Sequence, residues 1–226
     1  MTPRRLFFLH TSATLVPTFE QLCRDHLPAA QIFNLVDDSL IKDVIQHQQL
    51  RPRTARRVVQ LATAAEDAGA DVLVVTCSSI GRAVDAAAAL AEIPVLRVDR
   101  ALAERSVETG SKIGVIATLR TTLEPTAELI ERCAAERNRA ISLTARLCDG
   151  AFEALMGGDP QRHDHLVLKG LMELASQVDV VALAQASMAR VVSALGEEQC
   201  RVPILASPPL AIAHLAQAYP SFTGTS

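Results

Sequence analysis

The 226-residue sequence has no tryptophan, a single tyrosine (Tyr219) and only 3% aromatic residues. Base stacking and aromatic ligand cages therefore have almost no material to be built from. An excess of basic charge is equally missing: 22 Lys and Arg stand against 25 Asp and Glu, for a net charge of −3 and a pI near 6.1. The only local arginine cluster (Arg51, Arg53, Arg56, Arg57) falls along one expected helix, so nucleic acid is not an expected partner. Apolar runs such as Val72 to Val75 and Val178 to Leu183 are far shorter than a bilayer span. The N-terminal MTPRRLFFLHTSA has no h-region or cleavage site, and no membrane partner and a cytoplasmic location are expected. The five cysteines (Cys23, Cys77, Cys133, Cys148, Cys200) are odd in number and scattered without a CxxC pair. That pattern suggests neither a disulfide framework nor a zinc site.

What is present is 49% apolar residues, ample for a full core. Strand-length apolar runs alternate with longer amphipathic stretches: Leu6 to His10, Gln31 to Leu35, Val72 to Thr76 and Pro94 to Val98, then Ile113 to Ala117, Ile141 to Leu147, Val180 to Leu183 and Pro203 to Ala206. Helix-like segments lie between them, for example Thr54 to Ala68, closed by Gly69. Strand and helix alternating in this way predict an α/β fold with parallel sheets and right-handed crossovers.

The chain also repeats itself. RLFFLHTSATLVP lines up with KIGVIATLRTTLEP, ADVLVVTCSSIGRAV with VDVVALAQASMARVV, and EIPVLRVDRAL with RVPILASPPL, all at offsets of 107 to 109 residues. Two similar halves are expected: 1–98 plus 208–226, and 99–207. Ligands of open parallel sheets sit beyond the carboxyl ends of the strands, so the strand-end loops of two facing halves would line one cleft. In the first half those loops hold His10, Thr11, Ser12, Cys77, Ser78 and Ser79, with Asp37 and Asp38 suited to capping the next helix. In the second they hold Thr118, Arg120, Thr121, Thr122, Gln185, Ala186 and Ser187, and under the repeat Cys77 pairs with Gln185. Arg120 is a candidate for a second substrate carboxylate. His163 and His165 have no third ligand in view and are read as a solvated loop opening a helix, so no metal is expected. Gly157 and Gly158 are read as a turn.

The VVTCSS segment, the GVIATLRTT segment and the duplicated halves together resemble the aspartate/glutamate/hydantoin racemase superfamily, which includes arylmalonate decarboxylase and maleate isomerase. The resemblance covers nearly the whole chain. It implies two pseudosymmetric flavodoxin-like domains, an active site between them, frequent pairing into homodimers, and proton transfer at carbon with no metal, pyridoxal or nucleotide cofactor. It also implies one catalytic thiol on each face of the substrate. The first maps onto Cys77. At the second, where the hydantoin racemases carry a leucine-glycine-cysteine-alanine run, this sequence reads Leu183, Ala184, Gln185, Ala186, and an amide has no usable proton affinity near neutral pH.

The chemistry so implied builds charge on the oxygens of a small carboxylate substrate, and donors fixed at strand-to-helix turns would stabilise it. Ser78, Ser79, Thr118, Thr121 and Thr122 stand at such turns, with Thr11, Ser12 and Ala186 beside them. Cys77 needs its pKa lowered from about 8.5 to act as a thiolate, and His10, ending the neighbouring strand, is the expected imidazolium partner. Three mechanisms stay open. Cys77 works opposite His10 or a water held by Gln185, giving racemisation or isomerisation; or Cys77 alone protonates an enediolate after loss of carbon dioxide; or Cys77 attacks an electrophilic carbon while Gln185 donates to an oxyanion. A non-catalytic protein that binds a small carboxylate is the alternative to all three.

Overall fold

The computed structural model describes residues 4–189, 191 and 202–224. Cys200 and the side chain of Ser187 lie outside the described residues. The chain divides into two compact units, Met1–Asp99 with Pro208–Ser226 and Arg100–Ser207. In unit 1, β1 (Arg4–His10), β2 (Ala30–Val36), β3 (Val72–Val75) and β4 (Val95–Arg97) form a parallel sheet in the order β2-β1-β3-β4. In unit 2, β5 (Lys112–Ala117), β6 (Ser142–Leu147), β7 (Val180–Leu183) and β8 (Ile204–Ala206) form a second in the matching order β6-β5-β7-β8.

Alternation along the strands sorts the core of unit 1 into two layers. Phe7, Leu9, Leu73 and Val75 pack on α2 (Ser39–His47), α3 (Pro52–Asp67) and α4 (Gly81–Ala88) through Leu40, Val44, Val58, Ala62 and Val84. Leu6, Phe8, Val72 and Val74 face the other way, onto α1 (Val16–His26) and α9 (Ser207–Ala218), through Phe19, Cys23, Ile212 and Leu215. In unit 2, Ile116, Val181 and Leu183 pack on α8 (Pro160–Ala175) through Val167, Leu171 and Leu174. The helices α5 (Arg100–Thr109) and α6 (Arg120–Glu136) bury Leu102, Val107, Leu129, Ile130 and Cys133, and α7 (Ala151–Met156) precedes α8. The helix that follows β4, α5, belongs to unit 2, and the helix that follows β8, α9, belongs to unit 1. That exchange explains why unit 1 is made of two separate stretches of chain.

The internal repeat extends to individual hydrogen bonds. The Asp71 N–H donates to the Arg5 carbonyl (2.9 Å) and the Asp179 N–H to that of Lys112 (2.7 Å). Each aspartate also accepts at 2.8 Å from the N–H of that same strand residue. At the far end of the strands the Thr76 N–H meets the Leu9 carbonyl and the Ala184 N–H that of Ile116, both at 3.0 Å.

Two expected boundaries move. The helix expected from Thr54 starts at Pro52, because proline at the first helical position already has the φ a helix needs. The stretch read as a solvated loop around His163 and His165 is already inside α8, whose N-cap Asp159 accepts from the Arg162 N–H at 2.9 Å ahead of Pro160. No helix among the described residues is long and apolar enough to cross a membrane.

Gly114, mid-strand in β5, is where unit 2 lets α8 come close. A Cβ placed there would lie 2.8 Å from both Cγ and Cδ2 of the buried Leu174, whereas the repeat-related position in β1 carries Phe7. Gly114→Ala is expected to destabilise the protein by about 1–3 kcal/mol through overpacking, read as a lower denaturation midpoint.

Candidate active site

The pairing of the two central strands in each sheet decides which strand-end side chains meet. β1 pairs with β3 so that Leu9 lies level with Val75, which puts His10 level with Thr76 and Thr11 level with Cys77. β5 pairs with β7 so that Ile116 lies level with Leu183, which puts Thr118 level with Gln185. The contacts follow that geometry. The Thr118 N–H and hydroxyl both donate to Gln185 Oε1, at 2.5 and 2.9 Å, and the Thr11 side chain is a hydrogen-bond neighbour of the Cys77 sulfur. Thr11 and Thr118 are repeat-related, as are Cys77 and Gln185. One architectural position thus holds a thiol in unit 1 and an amide oxygen in unit 2. With Oε1 anchored, Gln185 makes no bond through Nε2 among the described residues, so both amide N–H groups remain as donors.

Cys77 follows β3 and precedes a one-turn 3₁₀ segment, Ser78–Ile80, that runs into α4. A thiolate there would be met by the Thr11 hydroxyl, the N–H groups of Ser79 and Ile80 and the Ser79 hydroxyl. Burial nonetheless outweighs these groups and pushes the thiol above the ordinary cysteine range, so Cys77 rests as S–H at neutral pH. Burial also raises Cys133, takes Cys23 up to about 12 and takes Cys148 up to about 11. Those three are fully buried core residues.

His10 does not make the expected contact with Cys77. Its side chain emerges on the face covered by α1 and α9, stacked on Phe8 (centroids 5.7 Å apart) and tilted against Phe19 (5.5 Å), whereas Cys77 packs with the core on the opposite face. Both ring nitrogens are occupied, Nδ1 by Thr76 Oγ1 at 2.9 Å and Nε2 by Asn34 Oδ1 at 3.0 Å. Asn34 Nδ2 donates to Glu20 Oε1 at 3.0 Å. Asn34 Oδ1 then accepts the Nε2 proton, and the single Thr76 hydroxyl proton lies within reach of two acceptors, Nδ1 at 2.9 Å and the Leu9 carbonyl at 3.3 Å, of which the neutral ring takes the shorter. Burial lowers the His10 pKa, with the Asn34 hydrogen bond and the Glu20 charge only partly opposing it. A neutral imidazole on the far face of the sheet replaces the expected imidazolium beside the thiol. The reason is the two-residue period of a strand: His10 and Cys77 sit at positions of opposite parity in paired strands.

The other expected residues fall into two groups. Ser78, Ser79, Thr118, Thr121 and Thr122 are buried at the two strand-to-helix turns, and Thr121 Oγ1 has no hydrogen-bond partner among the described residues. Ala186 and Gln185 are half-buried beside them. Ser12 instead caps its own short turn, accepting from the Thr14 N–H at 3.4 Å. Arg120 is exposed and paired with Glu124 at 3.4 Å. Asp37 accepts from the Ser39 N–H at 3.1 Å and pairs with Arg57, the capping role expected of it, whereas Asp38, the N-cap residue itself, makes no side-chain cap bond and pairs with Lys42. His163 is buried with Nδ1 on Asp164 (2.8 Å), while His165 is exposed. No cluster of three or more potential metal ligands occurs among the described residues. Sequence reading missed Asn34, Glu20 and Thr76; the register of β1 against β3, a separation of 66 residues, is the signal that pairs His10 with Thr76.

A family model described as Asp/Glu/hydantoin racemase matches residues 7–215. No curated protein sequence matches the chain. Among solved structures, a glutamate racemase from Bacillus anthracis aligns with a TM-score of 0.72 at 19% identity, covering 96% of this chain and 82% of its own. An allantoin racemase from Klebsiella pneumoniae gives 0.64 at 17%, covering 95% and 86%. An aspartate racemase from Picrophilus torridus gives 0.72 at 10%, covering 95% and 94%. At these identities the structural likeness speaks for the fold.

Two titrations test this geometry. Alkylation of Cys77 by iodoacetamide is expected to be slow at pH 7 and to climb about tenfold per pH unit past the ordinary thiol value of about 8.5; a plateau at or below pH 8 would contradict the raised thiol. His10, with its folded pKa below the unfolded value of about 6.5, contributes stability that is complete above that pH and is lost as pH falls toward the folded pKa. His10→Gln should therefore show a flatter decline in denaturation midpoint between pH 7 and pH 5 than the parent.

Proposed function

The chain belongs to the Asp/Glu/hydantoin racemase family, whose model spans residues 7–215, and on that premise we propose a cofactor-independent enzyme of the racemase and isomerase type. It transfers a proton at a carbon next to the carboxylate of a small substrate, with Cys77 as its single acid/base thiol. The observation that carries this reading is the pair of equivalent threonine contacts, Thr11 to Cys77 and Thr118 to Gln185. A proton carrier occupies one of the two equivalent positions and a hydrogen-bond donor the other.

In the racemase reading, Cys77 first loses its thiol proton to water, and the minor thiolate form so produced removes the proton on the carbon beside the carboxylate. The electron pair of that C–H bond moves onto the carboxylate oxygens as an enediolate. The buried turn residues Ser78, Ser79, Thr118, Thr121 and Thr122 supply donors to those oxygens. A proton returned by a water held on the Gln185 amide inverts the centre; one returned by Cys77 restores it. His10 is not assigned the second proton transfer, because both of its nitrogens are engaged on the other face of the sheet.

A second reading is supported by the raised Cys77 thiol. A thiol resting as S–H is charged to give a proton before it takes one. In a 2-substituted malonate, loss of carbon dioxide breaks the C–C bond and leaves its electron pair as an enediolate, and Cys77 then protonates that carbon. This route needs one acid and no second base, which matches an amide at position 185.

The test is incubation in D₂O with amino acids, hydantoins, 2-substituted malonates and maleate, followed by NMR. Deuterium at carbon with an intact skeleton assigns racemisation, loss of carbon dioxide assigns decarboxylation, and conversion of maleate assigns isomerisation. Cys77→Ala should lower whichever activity appears by at least about 10²-fold. A Cys77→Ala variant indistinguishable from the parent, or a folded parent inert toward the whole panel, would overturn the proposal in favour of a non-catalytic carboxylate-binding protein.

A further inference from the structure

Unit 1 holds a buried ion cluster at its catalytic edge that the proposed chemistry has not used. Arg97 ends β4 and lies level with Val75 of β3, which places it on the same sheet face as Cys77, two residues further along. Its side chain is almost wholly buried. Asp99, buried as well, grips the guanidinium with both oxygens, at 2.9 Å to Nε and 2.8 Å to Nη2. Asp85, one turn into α4, takes Nη1 at 3.3 Å. Between these two anchors the guanidinium passes over the start of α4 at van der Waals closeness. A Cβ built on Gly81 would sit 2.3 Å from Cζ and 2.4 Å from Nη2. Only a glycine admits the group there.

The stretch so pinned is the turn that carries the Ser79 and Ile80 N–H groups to the Cys77 sulfur. A buried guanidinium is an expensive way to fill space, because an apolar side chain of similar length would pack there without desolvating a charge. What the guanidinium adds is a rigid fork that fixes β4, the turn and the first turn of α4 relative to one another. The repeat offers an internal control. The positions equivalent to Gly81, Arg97 and Asp99 are Ala189, Ala206 and Pro208, so the half carrying Gln185 has no such fork. Among the described residues, the fork is found in the half that has the thiol.

We propose that Arg97, anchored by Asp99, is a positioning residue that holds the turn from Ser78 to Gly81 against the sulfur of Cys77. The inference rests on the reading of Cys77 as the acid/base residue for its functional meaning, but its test needs no substrate. A failure of the proposed activity and a failure of this inference are therefore separable.

The experiment follows iodoacetamide labelling of the Cys77 peptide by mass spectrometry between pH 7 and pH 10, alongside circular dichroism and thermal melting. The proteins are the parent, Arg97→Lys, the double variant Arg97→Met/Asp99→Asn, and Gly81→Ala. The double variant removes both charges together, so neither is left unpaired in the core. Gly81→Ala keeps every charge and displaces the guanidinium. With the turn released, less thiolate forms at a given pH, and labelling at pH 8 should fall about tenfold, equivalent to one unit of thiol pKa. Arg97→Lys, which keeps the charge and loses the fork, should fall between the double variant and the parent. A merely structural role would lower the melting temperature and leave the labelling profile of the folded protein where it was, and that result overturns the proposal. If the double variant does not fold, Gly81→Ala decides alone: an unchanged profile refutes the inference and a shifted one supports it.

Discussion

The register between the two central strands of each sheet is the constraint on which the chemistry depends. Parallel pairing matches residues in fixed order, and the pleat sends successive side chains to opposite faces. Once Leu9 is level with Val75, Thr11 meets Cys77, and His10 meets Thr76 on the other side. Once Ile116 is level with Leu183, Thr118 meets Gln185. A one-residue slip in either pair would put each threonine on the wrong face. The aspartates at the strand entries, Asp71 and Asp179, bind the backbone of Arg5 and Lys112, and so fix the register at the end away from the candidate site.

Burial then decides the state of the groups that register has placed. Cys77 is surrounded by groups that favour a thiolate, yet desolvation prevails and the proton stays on. His10 is likewise held neutral by burial, with its one charged neighbour, Glu20, reached only through Asn34. Neutral, with both ring nitrogens bonded, stacked on Phe8 and tilted against Phe19, His10 ties β1 to β2 and β3. Its role on this face is cohesion of the sheet. The two groups that looked like a catalytic pair are separated by the thickness of the sheet they both terminate.

The α/β class, the eight strands, the duplication and the strand-end loops were all legible in the sequence. The alternation of apolar runs and the spacing of 107 to 109 residues between Arg5 and Lys112, Cys77 and Gln185, Glu92 and Arg201 carry that information directly. Side-chain parity was also present in principle, since counting back from Cys77 along β3 and from His10 along β1 gives opposite faces for any register that pairs Thr11 with Cys77. The Arg97 fork was not legible. Its partners Asp99 and Asp85 are near in sequence, but nothing in the pattern says that the guanidinium turns inward over Gly81. An arginine at a strand end reads as a solvated residue until the packing of α4 against β4 is known. The start of α8 is different: Asp159 and Pro160 are a cap signal present in the sequence, and they place His163 and His165 inside the helix.

A duplicated architecture begins with two equivalent strand-end positions, and here they have diverged along a consistent line. Unit 1 combines a thiol, a turn rich in N–H donors, a glycine at the start of α4 and a buried fork behind it. Unit 2 has an amide whose oxygen is tied to Thr118 and whose N–H groups meet no acceptor among the described residues, with alanine and proline where the fork would be. With a thiol at both positions, the two mirror-image substrates would meet equivalent groups and the reaction would run equally in either sense. Replacing one thiol by an amide removes that equivalence, because an amide does not exchange a proton near neutral pH. An amide anchored by its oxygen is instead well made to donate to charge developing on a substrate oxygen. A single proton-carrying side chain suits a reaction that needs one proton delivered, such as one that releases carbon dioxide. It suits reversible inversion only if water takes the place of the missing thiol.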